Sequence, residues 1–187
     1  GGISIADDAG TNPVTVTLAV TNGTLTLGSV LGLTVTNNGS ALVTVSGSVT
    51  ALNAAFNSLS YKGALNFNGA DTLTISVNDG GFTGGGPGLT DTKNVLLTVT
   101  PVNDAPTLTV PAAQVVDEDT DLPLAGITIA DVDANPNPVQ VTLAATNGVL
   151  TLNPANLTFT AGDGSADSTI TFTGTLAAIA AALATLV

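Results

Sequence analysis

Valine, leucine and isoleucine recur at every second position along several stretches of this chain. Val14, Val16 and Leu18 alternate with threonine, and Leu73, Ile75 and Val77 alternate with threonine and serine. A period of two puts one set of side chains on each face of a strand, so these stretches predict half-buried β-strands. Asn22-Gly23 and Asn147-Gly148 stand between such runs. Both residue types tolerate the positive φ of tight turns, which predicts a β-hairpin at each. Residues 51–59 and 175–186 carry Ala and Leu three and four apart instead, predicting one short helix in each half that crosses between sheets. The glycine-rich stretch 80–88 predicts a flexible loop. The apolar run 176–187 is shorter than the roughly 20 residues of a membrane-spanning helix, so it reads as a packed helix and not an inserted one. Strands separated by turns, with little helix, define an all-β fold built as a two-sheet sandwich.

The pattern occurs twice. Ile3-Ser4-Ile5-Ala6-Asp7 matches Ile127-Thr128-Ile129-Ala130-Asp131, and Val16 to Leu27 matches Val141 to Leu152 around a shared Thr-Asn-Gly. Asp131 lies 124 residues after Asp7 and Asn147 lies 125 after Asn22. Gly47-Ser48-Val49-Thr50-Ala51-Leu52 matches Gly174-Thr175-Leu176-Ala177-Ala178-Ile179. This is the period of a domain, not of a solenoid turn. Two repeats are expected, over residues 1–104 and 105–187. The first lacks a counterpart of residues 107–124 and the second a counterpart of residues 61–104. The missing strands are expected from a longer parent chain or from a neighbouring copy, since an incomplete sandwich exposes an unpaired sheet edge.

Charge narrows the chemistry. The 187 residues carry a formal net charge of −12, and Lys62 and Lys93 are the only basic residues. Nucleic acids and anionic membranes both call for clustered Lys or Arg, so neither is an expected partner. The chain has no Cys, His, Met or Trp, which removes thiol and imidazole nucleophiles and the usual zinc ligands. Paired carboxylates such as Asp131 and Asp133 are the sole support for an enzyme, and paired acids at strand ends are more often metal ligands or solvated. No catalytic residue is therefore expected. Carboxylates in local clusters suit a divalent cation that prefers oxygen, and calcium is the expected cofactor.

Three motifs carry a family resemblance. Thr100-Pro101-Val102-Asn103-Asp104-Ala105-Pro106 resembles the Asp-x-Asn-Asp-x-x-Pro junction of cadherins, with Pro101 in place of the first Asp. Asp131-Val132-Asp133, followed by Asn135 and Asn137, resembles the Asp-x-Asp that follows such a junction. Asp117-Glu118-Asp119-Thr120 is similar to the Glu-containing stretch near the start of these repeats. The chain thus resembles the cadherin-like repeats of very large secreted bacterial surface adhesins. The resemblance implies tandem Ig-like Greek-key sandwiches at the cell surface, with calcium stiffening each joint.

Calcium takes six to eight oxygens, more than one sandwich rim offers, so a junction and the adjoining rims must contribute together. Asn103 and Asp104 in the junction are expected to converge with Asp131 and Asp133, which alternation after a strand would place on one side. Asp7, Asp8 and Asp79 resemble the matching pole of the first copy. By the family pattern Asp117, Glu118, Asp119 and Asp121 would face the far pole of the second, and Asp71 falls where cadherins place another acidic ligand. The function implied is a rod-like spacer in cell adhesion whose partners are neighbouring repeats of the same or identical chains. The rival readings are a module binding an extracellular polysaccharide or ice-like surface, and a polymerising subunit completed by strand addition.

Overall fold

The computed structural model describes residues 2–8, 10–82 and 86–187. The middle of the glycine loop, residues 83–85, lies outside the described residues. The chain is largely β-strand with two short helices, and it divides into two compact units, Gly1–Pro101 and Val102–Val187. The division falls three residues ahead of the boundary expected after Asp104. Among the described residues no helix is long and apolar enough to cross a membrane.

The first unit contains β1 (Val14–Ala19), β2 (Gly23–Leu27), β3 (Leu33–Thr36), β4 (Leu42–Gly47), α1 (Val49–Phe56), β5 (Leu59–Gly63), β6 (Gly69–Asn78) and β7 (Thr90–Val99). Five strands form one antiparallel sheet in the order β3-β4-β1-β6-β7, and β2 pairs with β5 in a second. The alternation read in the sequence is realised here. Val14, Val16 and Leu18 are wholly buried with Val43 and Val45 on the inner face, and Leu25 and Leu27 meet them from the smaller sheet. Leu52, Ala55 and Phe56 of α1 close the same core. The outer face is uncharged across its middle: Thr36, Thr44, Thr17, Ser76 and Thr92 stand in one row across all five strands. Lys62 lies in β5 and Lys93 in β7.

The second unit contains β8 (Thr107–Thr109), β9 (Thr128–Ala130), β10 (Val139–Ala144), β11 (Thr158–Ala161), β12 (Thr169–Gly174) and α2 (Leu176–Leu183). Its sheets are β10-β12-β11 and β8-β9. Ile170 and Phe172 of β12 pack with Ile179 and Leu183 of α2, and Leu150 and Leu152 complete that core. The matched sequence segments adopt matched elements. β1 pairs antiparallel with β4 as β10 does with β12, and a helix follows β4 and β12 in turn. The difference lies on the other edge. β1 also pairs with β6, whereas β10 has no second neighbour among the described residues. Val139, Val141 and Leu143 are accordingly only half-buried, where Val14, Val16 and Leu18 are sealed.

Two expectations need correction. Asn22-Gly23 does not close a hairpin, because β1 and β2 lie in different sheets and the turn carries the chain from one to the other. Gly23 is required there by space, not by φ. A Cβ would stand 2.5 Å from the Lys62 carbonyl oxygen and from the Tyr61 ring. Asn147-Gly148 likewise follows a strand whose partner is β12, not the next segment. The helices also start and stop apart from the predicted 51–59 and 175–186. Ser48 caps α1 by accepting the Ala51 N–H at 3.3 Å, which sets its start at Val49, and Thr175 caps α2 through the Ala178 N–H at 3.2 Å. Such side-chain caps satisfy N–H groups that have no partner within the helix.

These contacts set an expected contrast in urea unfolding. Leu18→Ala opens a cavity at a fully buried site and should cost about 2–5 kcal/mol, while Leu65→Ala, at a residue 92% exposed, should stay within about 0.5 kcal/mol. Similar losses at the two positions would mean that the core is not organised around β1.

Candidate functional site

The acidic residues fall into three groups. The first lies in the second unit, where the chain enters β8 and leaves β9. Asp131 and Asp133 sit beyond the end of β9 in a turn, so strand alternation does not align them. Hydrogen bonds to the backbone do so instead. Asp131 Oδ1 accepts the N–H of Asp133 at 2.9 Å and of Ala134 at 3.1 Å, and Asp133 Oδ2 accepts the N–H of Asp104 at 2.5 Å. Short polar side chains commonly fold a turn this way. Asp104 and Asp133 are thus joined across 29 positions of sequence. Asn103 stays outside, its amide donating to the Asp104 carbonyl at 3.2 Å. Asp131 Oδ2, Asp133 Oδ1 and the Asp104 carboxylate accept no hydrogen bond among the described residues.

The second group rims a cleft of 670 Å³ in the first unit, where Asp7, Asp8 and Asp79 meet Asp91 and Lys93 around a floor that includes Ile5, Ile75, Val77 and Val95. All three of the first-copy candidates, Asp7, Asp8 and Asp79, thus line one cleft. Asp79 also shapes the backbone beside it. Its Oδ1 accepts the N–H of Leu89 at 2.7 Å and of Gly81 at 2.9 Å, drawing in the neck of the glycine loop. Those two bonds, Leu89 first, hold its carboxyl below the ordinary aspartate value. The Lys93 ammonium pairs with Asp91 at 2.7 Å and lowers that carboxyl as well. Both partners are largely exposed, so this pair adds little to stability.

The third group, Asp117, Glu118, Asp119 and Asp121, lies on an exposed stretch. Asp119 takes a positive φ of 61°, and the Thr120 hydroxyl donates to the Asp117 carbonyl at 2.6 Å. These features shape the loop and do not gather its carboxylates. Among the described residues, no set of three or more acidic side chains is arranged to hold a metal ion. The oxygen chemistry of the Asp104, Asp131 and Asp133 group suits calcium, but the side chains do not close around a point.

Asp71, a candidate ligand by family position, is the one charged residue buried in the described structure, at 4% exposure. Its oxygens are taken. They accept the N–H groups of Asn22 at 2.9 Å, Thr21 at 3.2 Å and Thr72 at 2.8 Å, and the Tyr61 hydroxyl at 2.9 Å. Burial opposes the charge, and the hydrogen bonds together outweigh it, so the carboxyl lies below its ordinary value. Burial first, and then Asp71, push the Tyr61 hydroxyl up. A signal for this was present: counting back by twos from Val77, Ile75 and Leu73 puts Asp71 on the inward face. Asp167, which no motif singled out, accepts the N–H groups of Asp163 at 2.8 Å and Gly164 at 3.0 Å and folds the loop before β12. The glycines flanking Asp163 were its only trace in the sequence.

No protein-family model, curated protein or solved structure matches the chain.

A depressed carboxyl stabilises the fold above its unfolded pKa, and that contribution is lost as pH falls through the lower folded value. Stability should therefore fall with acidification below about pH 4, the ordinary aspartate range. Asp71→Asn should flatten this acid limb and lower the melting temperature at pH 7. Asp91→Asn should change the pH 7 melt little. An acid limb left intact in Asp71→Asn would assign it to other carboxylates.

Proposed function

We propose that the chain is a non-catalytic spacer of a secreted bacterial surface adhesin, built from Ig-like, cadherin-like Greek-key sandwich repeats and acting in cell adhesion. The observation that carries this reading is the recurrence of one strand-and-helix plan at an offset of 124 to 127 residues, with a proline-bounded junction at the start of the second unit. A repeated, sparsely charged β module with an uncharged hydroxyl row suits a spacer better than a binding surface, which favours Tyr, Trp and Arg. In this reading calcium binds at the junction through the Asn103 amide oxygen and the carboxylates of Asp104, Asp131 and Asp133, which keep oxygens that accept no hydrogen bond among the described residues, and the residues shift to close on it. The ion would supply charge neutralisation and stiffness, not chemistry.

Thermal melts in calcium, magnesium and chelator test this. A ligand at about 100 times its dissociation constant adds roughly 2.7 kcal/mol to the state it binds, or about 10–20 °C for a unit of this size. The rise should be specific to calcium and should shrink in an Asn103→Ala, Asp104→Ala double variant. Identical melts in calcium and chelator would remove the ion from the proposal and leave a metal-free spacer.

A further inference from the structure

The two ends of β2 are held by different chemistry. At the far end the Leu25 N–H donates to the Ser40 carbonyl and the Gly39 N–H to the Leu25 carbonyl, both at 2.9 Å. The Asn38 side chain accepts the Leu27 N–H at 2.8 Å and donates to the Leu27 carbonyl at 3.0 Å. None of these groups titrates. At the near end the tie to the larger sheet runs through one ionised group. Val20 still donates to the Ala41 carbonyl at 2.9 Å, but the next two N–H groups, of Thr21 and Asn22, donate to the Asp71 carboxylate on β6. The same carboxylate accepts the Tyr61 hydroxyl, which also lies 3.1 Å from the Asn22 carbonyl. That carbonyl accepts the Ala64 N–H at 2.8 Å. The corner, the end of β5 and the loop after it therefore hang from a single charge.

We propose that residues 21–23 and 61–68 form a flap, latched shut by the Asp71 carboxylate and released when that carboxylate is neutralised, while Leu25, Leu27 and the five-stranded sheet stay paired. Each Asp71 oxygen accepts two donors. Protonation puts a hydrogen on one of them, so one pair of donors loses acceptor capacity in the interior. Tyr61 is the one other titratable group against Asp71. Lys62 alternates to the opposite, exposed face of β5, and Thr72 beside Asp71 and Leu97 across from it carry no charge. Burial of the carboxyl is outweighed by its bonds from Asn22, Thr72 and Thr21, which hold it below its ordinary value. The latch is thus shut above the ordinary aspartate range and opens as pH falls through the lower folded value. Its position places the response at the end of the unit. A Cβ at Gly63 would stand 3.5 Å from the Val99 side chain, and Val99 ends β7 opposite Gly69. The flap therefore lies beside the strand end from which the chain runs on to Thr100. The device does not rest on the spacer or calcium readings.

Amide hydrogen exchange in the full chain, read residue by residue, tests this. Asp71→Asn puts an NH2 group where one carboxylate oxygen accepts two donors. At pH 7 the amides of Asn22 and Ala64 should then exchange roughly tenfold faster or more. Those of Leu25 and Leu27, and of Val16 and Leu18 in the larger sheet, should keep their wild-type rates. The wild-type chain supplies a second measurement that needs no substitution. Tyr61 is the only tyrosine and the chain has no tryptophan, so tyrosine fluorescence reports the flap alone. On acid titration it should change at a higher pH than the far-UV circular dichroism. A uniform rise in exchange across the unit overturns the proposal, because the corner would then open only with the whole fold. So does an Asn22 amide that stays protected in Asp71→Asn, or a tyrosine signal that changes only together with the circular dichroism.

Discussion

The first unit turns on a negative charge kept inside it. Where β1 ends, the chain must leave one sheet and join the other, and at that corner the backbone N–H groups of Thr21 and Asn22 have no strand to bond. Asp71 takes both, and its carboxylate also holds Thr72 at its own strand and the Tyr61 hydroxyl from β5. The corner, the smaller sheet and β6 therefore share one acceptor. Removing such an acceptor from the interior leaves several donors unsatisfied at once, which costs more than the loss of any one bond. Gly23 belongs to the same constraint, because only a residue without a Cβ lets the corner lie against the Tyr61 ring.

This explains which features were legible in the chain. Strand positions followed from side chains alternating within a few residues, and the paired helices from spacing within two turns. The corner at Asn22-Gly23 did not, since what decides between hairpin and crossing stands 49 residues away in Asp71. Asp71 itself could be found by register, once its place in the Leu73, Ile75, Val77 series was counted. The acidic motifs were legible as neighbours in the sequence, while the backbone groups that take up their oxygens were not. Asp133 does meet Asp104, by accepting its backbone N–H, while Asp131 uses one carboxylate oxygen to fold the turn that carries Asp133, and Asp79 uses one to hold Gly81 and Leu89. A motif records which residues meet; it does not record what the backbone demands of them. The cluster from Asp117 to Asp121 turns at Asp119, and that turn does not draw its carboxylates toward one point.

Comparing the units shows how much of a strand's burial belongs to its neighbours. Val16 and Val141 occupy matching positions in matching sequence, but one is sealed between two strands and the other has, among the described residues, a partner on one side only. Chemistry at the residue is the same. Burial is conferred by the next strand in the sheet, which is why a tandem β module is best understood through its edges as well as its core.

The rarity of basic residues has a consequence for handling the molecule. A protease that cuts after lysine or arginine finds two targets, Lys62 and Lys93, and each sits within a hydrogen-bonded strand. Cleavage there requires the strand to leave its sheet, so digestion proceeds through opened molecules and follows their population. Both targets lie in the first unit, and Val102–Val187 contains neither. Tryptic nicking therefore reports on the opening of one unit while remaining blind to the other.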